Sequence, residues 1–271
     1  MTQSTLPEPR LTAVGSGKGG TGKTLVAIAL AQALSQEGER VLLCDADLGL
    51  SNAAVHLGLD DCGDVAALLA GTARLEDAVA PVLGGAGARG GFDLIAAPSG
   101  SGAFANTNPI AAENLVVKLR AGHRYTRALI DLGAGVDATV MRFAASADET
   151  LLVLTPDPAA LTDAYAFAKL LLRATGTQLP LVIVNMAASA ADARRTEEAM
   201  AATCSAFLNL VPDFLGTIPR DNQAHEAVRH QQPVMSRMPQ GPAARALAEI
   251  ARRLHARPAP APVSARAMEL R

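Results

Sequence analysis

The stretch from residue 15 to residue 24 carries the clearest chemical signal, and it reads Gly-Ser-Gly-Lys-Gly-Gly-Thr-Gly-Lys-Thr. The spacing of Gly17, Gly22, Lys23 and Thr24 fits the phosphate-binding pattern G-x-x-x-x-G-K-[ST]. A polyphosphate needs several backbone N–H groups at close range, and glycine lets the backbone turn tightly enough to supply them. The alternative is a flexible Gly-rich loop before a helix. However, the longer pattern K-G-G-x-G-K-T, which residues 18–24 match, arises by chance in roughly one in 10⁵ chains of this length. We therefore predict a nucleotide-phosphate site.

Each residue of this loop has an expected task. Lys23 is expected to reach the β- and γ-phosphates of the nucleotide, and the Thr24 hydroxyl to ligate Mg²⁺. The helix predicted from Thr24 to Gln36 adds its positive N-terminal end. The residues predicted to cradle the phosphates are Gly17, Lys18, Gly19, Gly20, Thr21, Gly22, Lys23 and Thr24.

Two carboxylates follow the next apolar run, which covers residues 40–45 and is typical of a parallel strand buried on both faces. Asp45 and Asp47 are separated by one residue in the stretch Asp-Ala-Asp-Leu-Gly-Leu-Ser-Asn. Because acids at the carboxyl ends of parallel strands point into the ligand crevice, we predict that they hold Mg²⁺ or water, with Asp45 nearer the metal. The alternative is that this segment caps the next short helix.

A third apolar run, Arg127-Ala-Leu-Ile, ends in Asp131. An apolar strand that ends in Asp is the Walker B pattern, and we expect this carboxylate to hold the Mg²⁺ water shell. Gly133 and Gly135 would let the following backbone move toward a γ-phosphate.

The run 179–184 ends in Asn185, whose amide can pair with both N6 and N7 of adenine. The alternative reading is a helix cap. Further along, Pro219 and Asp221 form a P-x-D turn after another predicted strand.

Predicted strands alternate with predicted helices along the chain, which indicates an α/β fold with one doubly wound, mainly parallel sheet. We expect a disordered lead at residues 1–10, a P-loop ATPase domain at 11–256 and a Pro/Ala/Arg-rich tail at 257–271. The 271 residues are 49% apolar, which is ample for a core.

Composition narrows the function further. The net charge of the chain is −2. Residues 242–271 contain six arginines and two glutamates, a local charge of +4, so residues 1–241 carry a net charge of −6. A negative charge over most of the chain argues against non-specific DNA binding by this part, because DNA binding relies on a basic surface. The three isolated cysteines lack the spacing of an iron–sulfur or metal site. The sequence shows no apolar signal core and no run of about 20 apolar residues, so we expect a cytoplasmic protein.

A second lysine, Lys18, stands inside the loop, and the resulting K-G-G-x-G-K-T resembles the deviant Walker A box of the MinD/ParA superfamily. The resemblance implies a homodimer that closes around ATP, with Lys18 contacting phosphate in the other subunit. It also implies that Asp47 orients the attacking water. Adenine would be bound by Asn185 and flanked by the turn that contains Pro219 and Asp221.

Within this superfamily the chain resembles the flagellar-number regulators FlhG/FleN over residues 10 to 256. The motifs that carry this resemblance are D-A-D-L-G-L-S-N at 45–52, P-S-G-S-G at 98–102, I-D-L-G-A-G at 130–135, T-P-D-P at 155–158, T-D-A-Y at 162–165, I-P at 218–219 and A-V-R at 227–229. The resemblance implies a slow, Mg²⁺-dependent ATPase that limits flagellar number or sets flagellar position. It also implies two partners, a flagellar transcriptional activator and a polar flagellar GTPase.

Two related functions use the same active site. One is a ParA-type ATPase that partitions DNA or cargo, and the other is a MinD-type regulator of the division site. Peripheral contact with the inner face of the plasma membrane or the cell pole would fall to the tail, where residues 263–271 form a short segment with Arg266 and Arg271.

Overall fold

A computed structural model describes residues 7–47, 52–60, 62–96 and 109–258. The strands within this part of the chain are β1 Arg10–Ser16, β2 Val41–Ala46, β3 Ala80–Val82, β4 Phe92–Ile95, β5 Arg127–Ala134, β6 Glu149–Leu154, β7 Leu181–Ala187 and β8 Phe214–Pro219. They form one sheet in the order β3-β4-β2-β5-β1-β6-β7-β8. Every pairing is parallel except that of β3 with β4. The predicted doubly wound α/β fold is confirmed.

The helices cover both faces of the sheet. They are α1 Lys23–Gln36, α2 Ala53–Leu57, α3 Val65–Ala70, α4 Pro109–Arg120, α5 Ala138–Ser146, α6 Pro158–Thr175, α7 Ala190–Leu208, α8 Asn222–Arg229, α9 Val234–Arg237 and α10 Pro242–Ala256. One core lies under α1, α2, α8, α9 and α10, and a second lies under α3 to α7. Burial on both faces explains why the central strands are almost continuously apolar.

The segment before β4 differs from expectation. The sequence suggests a short helix from Leu75 to Val79, and this expectation is wrong: a single 3₁₀ turn ends at Asp77, and the chain continues into the antiparallel strand β3. The Gly/Ala stretch 84–91 closes the hairpin to β4. Strand β3 has three residues and contains Pro81, which cannot donate to a ladder and is tolerated here because the strand lies at the sheet edge.

The sequence suggests a helix from Leu161 to Arg173, and in the structure this helix is longer at its start. Helix α6 begins at Pro158 rather than Leu161, because Asp157 accepts from the backbone N–H of Ala159 and Pro158 occupies the first turn. Helix α8 begins at Asn222 in the same way, with Asp221 as its cap. The cluster at 98–102, residues 1–6 of the predicted lead and residues 259–271 of the predicted tail lie outside the described residues, whereas Arg10, at the end of the predicted lead, already belongs to β1. None of the described helices is long and apolar enough to cross a membrane.

The amino end of the sheet is held by a buried network of charges. The guanidinium of Arg127, 3% exposed, donates to Glu39 at 2.6 Å and to Glu149 at 2.7 Å. The Thr12 hydroxyl also donates to Glu149, and His255 contacts Glu39 at 2.8 Å. Burial disfavours the charge on Glu39, but the bonds and charges of Arg127 and, to a smaller extent, His255 outweigh burial and hold the pKa of this carboxyl below its ordinary value.

We expect Arg127→Ala to lower the free energy of unfolding by about 3 kcal/mol, because it removes the buried cation that Glu39 and Glu149 share. The variant leaves these carboxylates His255 and Arg10 as charged partners. Urea unfolding followed by circular dichroism measures the change. Arg142→Ala is the matched control, since it removes an ion pair to Glu113 in which both side chains are half exposed; it should cost no more than about 1 kcal/mol. Equal losses in the two variants would contradict the structural role of the network.

Candidate functional site

The phosphate loop joins β1 to α1 and depends on glycine at three of its positions. Gly20 and Gly22 have φ angles of 79° and 82°, in the left-handed region that other residues rarely adopt. Gly17 lies so close to α6 that a Cβ would stand 2.3 Å from the backbone carbonyl of Asp163. Gly22 is also the N-cap of α1, so the backbone N–H groups of the loop are continuous with the free N–H groups of the first helical turn.

A buried ion pair lies beneath this loop. Lys23 donates to Oδ1 of Asp131 at 2.9 Å, and the two side chains are 7% and 1% exposed. The pair forms because β1 and β5 are neighbours in the sheet, with Val14 opposite Asp131. Burial raises the pKa of Asp131 to about 6 and the nearby Asp45 acts in the same direction, while the charge of Lys23 and the Thr24 hydroxyl oppose the rise.

The residues present fit a bound Mg²⁺ ion. The second oxygen of Asp131, Oδ2, is buried and has no hydrogen-bond partner within the described part of the chain. The buried hydroxyl of Thr21 in the loop is likewise without a partner there. Carboxylate and hydroxyl oxygens are ligands that Mg²⁺ and its bound waters prefer, so Asp131 fits the predicted metal-holding role, and the hydroxyl of Thr24 lies within hydrogen-bond reach of Asp131.

Asp45 lies beside Asp131 in the register of β2 and β5. Its Oδ1 accepts from the backbone N–H of Asp47, and its Oδ2 accepts from Asn52 and Ala53 at 2.9 Å. Asp45 therefore ties the end of β2 to the start of α2, which agrees with the capping alternative for this segment. Its contact with a metal stays a prediction.

Asp47 is half buried and directly follows β2, beside the carboxyl end of β5. A Cβ built on Gly133 would stand 3.8 Å from Oδ1 of Asp47. The structure thus brings Asp47 to the glycine segment that follows Asp131. Its predicted water-positioning role is compatible with this location.

Lys18 has a partner in its own subunit. Its Nζ donates to Asp157 at 2.7 Å, and both side chains are partly exposed. The hydrogen bond to Asp157 raises the pKa of Lys18, and the same bond lowers the pKa of Asp157. Sequence reasoning gives Asp157 no role beyond its place in T-P-D-P, although the Asp-Pro pair is a helix-start signal that could have located it.

Asn185 braces the phosphate loop. Its Nδ2 donates to the carbonyl of Thr21 at 2.7 Å, and its Oδ1 accepts from the backbone N–H of Met186 at 2.9 Å. A side-chain amide has two N–H donors and two lone pairs on its oxygen. The predicted pairing of Asn185 with adenine would therefore use the second N–H and the second lone pair.

Pro219 and Asp221 have different surroundings in the structure. Pro219 lines a cavity of about 450 Å³ between the carboxyl ends of β7 and β8 and the first turns of α7. Asp221 caps α8 by accepting from Gln223, and it also accepts from Ala243 at the start of α10. Its predicted contact with adenine stays a prediction.

Comparison with known sequences gives consistent results. A family model described as the CobQ/CobB/MinD/ParA nucleotide binding domain matches residues 12–234. The chain is 34% identical over 250 residues to the antiactivator FleN of Pseudomonas aeruginosa, covering 92% of this chain and 87% of that protein. It is 30% identical over 228 residues to the flagellum site-determining protein YlxH of Helicobacter pylori, covering 81% and 73%.

Solved structures share the fold. The septum site-determining protein MinD of Pyrococcus horikoshii, complexed with Mg-ADP, superposes with a TM-score of 0.75 at 27% identity, covering 91% of this chain and 96% of that one. A MinC:MinD cell division protein complex from Aquifex aeolicus gives 0.73 at 25% identity, covering 93% and 98%. The elements that position Lys23 and Asp131 thus belong to a fold seen with Mg-ADP in another protein.

We expect Gly17→Ala to lower the melting temperature of the ligand-free protein by several degrees, because the added Cβ collides with the α6 backbone and overpacking costs about 1–3 kcal/mol. Differential scanning calorimetry measures the shift. Gly19→Ala is the control, since a Cβ there meets nothing within 4 Å. If both variants melted like the wild type, the close approach of the loop to α6 would be wrong.

Proposed function

Since the chain belongs to the CobQ/CobB/MinD/ParA family of nucleotide-binding domains, we propose that it is a MinD-like switch that dimerises with ATP, hydrolyses it and so regulates flagellar number or placement. The observation that carries the proposal is the buried Lys23–Asp131 pair beneath a glycine loop that also carries Lys18. A nucleotide's phosphates would compete with Asp131 for the Lys23 ammonium. The site would thereby sense whether phosphate is bound.

The reaction would use Mg²⁺, which shields the charge on the phosphates of ATP. Thr24 and the Oδ2 atom of Asp131 would hold the ion and its waters. Asp47 would orient the attacking water from its place beside Gly133. The loop N–H groups, fixed before binding, would stabilise the charge that develops on the phosphates.

Lys18 supplies the link between hydrolysis and dimerisation. In the single chain its ammonium is paired with Asp157. To reach phosphate in a second subunit it would leave that partner, and the pair is partly exposed, so the exchange costs little. Hydrolysis in the monomer would then be slow, because the cation opposite the transferred phosphate is missing.

The output proposed for this switch is flagellar. The similarity to the antiactivator FleN and to the flagellum site-determining protein YlxH, at 34% and 30% identity, supports this choice. Restraint of a flagellar transcriptional activator and contact with a polar GTPase are the partner interactions that fit it. A second candidate is division-site regulation, which the likeness to MinD structures supports.

We expect the ATPase activity per molecule to rise with protein concentration, because the site is completed by a second subunit. Lys18→Ala should remove this rise and leave a rate at least about 10-fold lower at high concentration, while ATP affinity stays within about twofold of the wild type. Phosphate release over a range of enzyme concentrations measures the first quantity, and calorimetric titration measures the second.

Asp157→Asn provides the matched variant, because it releases Lys18 without altering the loop. Its rate should rise at lower protein concentration than that of the wild type. A Lys18→Ala protein that keeps the concentration dependence would reject the role of this lysine in the second subunit.

In the organism that encodes the chain, we expect deletion of the gene to increase the number of flagella per cell or to displace them. Lys23→Ala, introduced at the native locus, should reproduce the deletion because the phosphate site is lost. Electron microscopy of whole cells measures number and position. Minicells or misplaced septa with normal flagella would instead favour the division-site function.

A further inference from the structure

Met186 has an unusual backbone conformation at the edge of the site. Its φ angle is +58°, in the left-handed region that non-glycine residues seldom adopt. It follows Asn185 directly, at the carboxyl end of β7. The surrounding structure therefore holds the main chain in a conformation that methionine does not prefer.

The cause is a bulge between β7 and β8. Val184 lies opposite Thr217, but Ala187 lies opposite Pro219, so three steps along β7 match two along β8. The backbone N–H of Met186 is fixed by Oδ1 of Asn185, and the bulge is closed by a bond from the N–H of Arg220 to the carbonyl of Ala187. Bulges are rare in parallel pairs, and near active sites they re-aim a side chain.

The Met186 side chain contacts the phosphate loop, and the next residue of the chain lines a cavity. A Cβ built on Gly22 would stand 3.1 Å from the terminal methyl of Met186, so the thioether lies against the last glycine of the phosphate loop. The next residue, Ala187, already lines the 450 Å³ cavity that contains Pro219. Met186 is 37% exposed, although its side chain is apolar.

We propose that Met186 is a nucleotide-binding residue whose thioether packs against the face of the base. This inference rests on the proposed nucleotide binding and adds a residue to it. The phosphates would lie at the N-terminus of α1, where the N–H groups converge, and Met186 stands beside this point and directly precedes Ala187, which lines the cavity. A purine face is the flat, apolar part of a nucleotide, and thioether sulfur makes favourable contacts with aromatic rings.

In this proposal two consecutive residues, Asn185 and Met186, contact different parts of the base. Asn185 has one N–H and one lone pair left for the polar edge of the base, while Met186 offers only an apolar surface for its face. Loss of the methionine side chain should therefore weaken ATP and GTP binding by the same factor. Binding of inorganic tripolyphosphate, which has no base, should not change.

The test uses the full chain and calorimetric titration with ATP, GTP and tripolyphosphate. We expect Met186→Ala and Met186→Gly to weaken ATP binding about 3- to 10-fold and Met186→Leu to retain most of it, with equal affinity for tripolyphosphate in all forms. Variants that bind ATP as the wild type does would overturn the proposal. Parallel loss of ATP and tripolyphosphate would also overturn it, because the side chain would then be supporting the loop.

Leu83→Gly controls for relief of backbone strain. Leu83 also has a left-handed φ, +51°, and is half exposed, but it lies in the hairpin after β3. Leu83→Gly and Met186→Gly should both keep or raise the melting temperature, and only the latter should weaken ATP binding. A wild-type protein that binds tripolyphosphate but no ATP would reject the Met186 proposal and the proposed ATPase together, whereas normal ATP binding by every variant would reject Met186 alone.

Discussion

A lysine and an aspartate buried together, Lys23 and Asp131, set the constraints that the rest of the site obeys. Two charges with side chains 7% and 1% exposed carry a desolvation cost that their attraction need not offset, so a pair of this kind is poor evidence for stability. The fold nevertheless provides for it: β1 and β5 must be neighbours, and the loop must place Lys23 in the first turn of α1. A functional role explains the arrangement: Lys23 would bind phosphate and Asp131 would bind the metal, and the two side chains pair with each other in the absence of these ligands.

The two ends of the sheet differ in how their charges are arranged. At the amino end, Arg127 bridges Glu39 and Glu149 in a buried network that ties β1, β5 and β6 to the end of α10 through His255. At the carboxyl end, the ion pair of Lys18 is partly exposed, and Asp131 has a buried oxygen without a partner in the described residues. The buried Arg127 network stabilises the amino end of the sheet, whereas the contacts of Lys18 and Asp131 at the carboxyl end can be exchanged for contacts with a ligand. This difference suits a protein whose site closes around a ligand.

The sequence predicts the site well where chemistry and topology coincide. Apolar runs that end in acids indicate parallel strands, and the carboxyl ends of such strands meet at one edge, so the amino-acid pattern alone is enough to place Asp131 near the phosphate loop. Partner choice is less predictable. Asp45 accepts from backbone N–H groups, and Asn185 donates to the Thr21 carbonyl. The sequence does not predict these partners, because the groups come close to one another only in the folded chain. The bulge at Met186 leaves no signal in the sequence, since it arises from the pairing of two strands.

The most direct measurement is the mass in solution of the Asp47→Ala protein, determined by light scattering with Mg²⁺ and either ATP or ADP. If Asp47 orients the attacking water, this variant retains ATP, and we predict a dimer with ATP and a monomer with ADP. A monomer with both nucleotides, at concentrations where both are bound, would contradict the ATP-dependent dimerisation switch. Rapid ATP hydrolysis by the variant would contradict the role of Asp47.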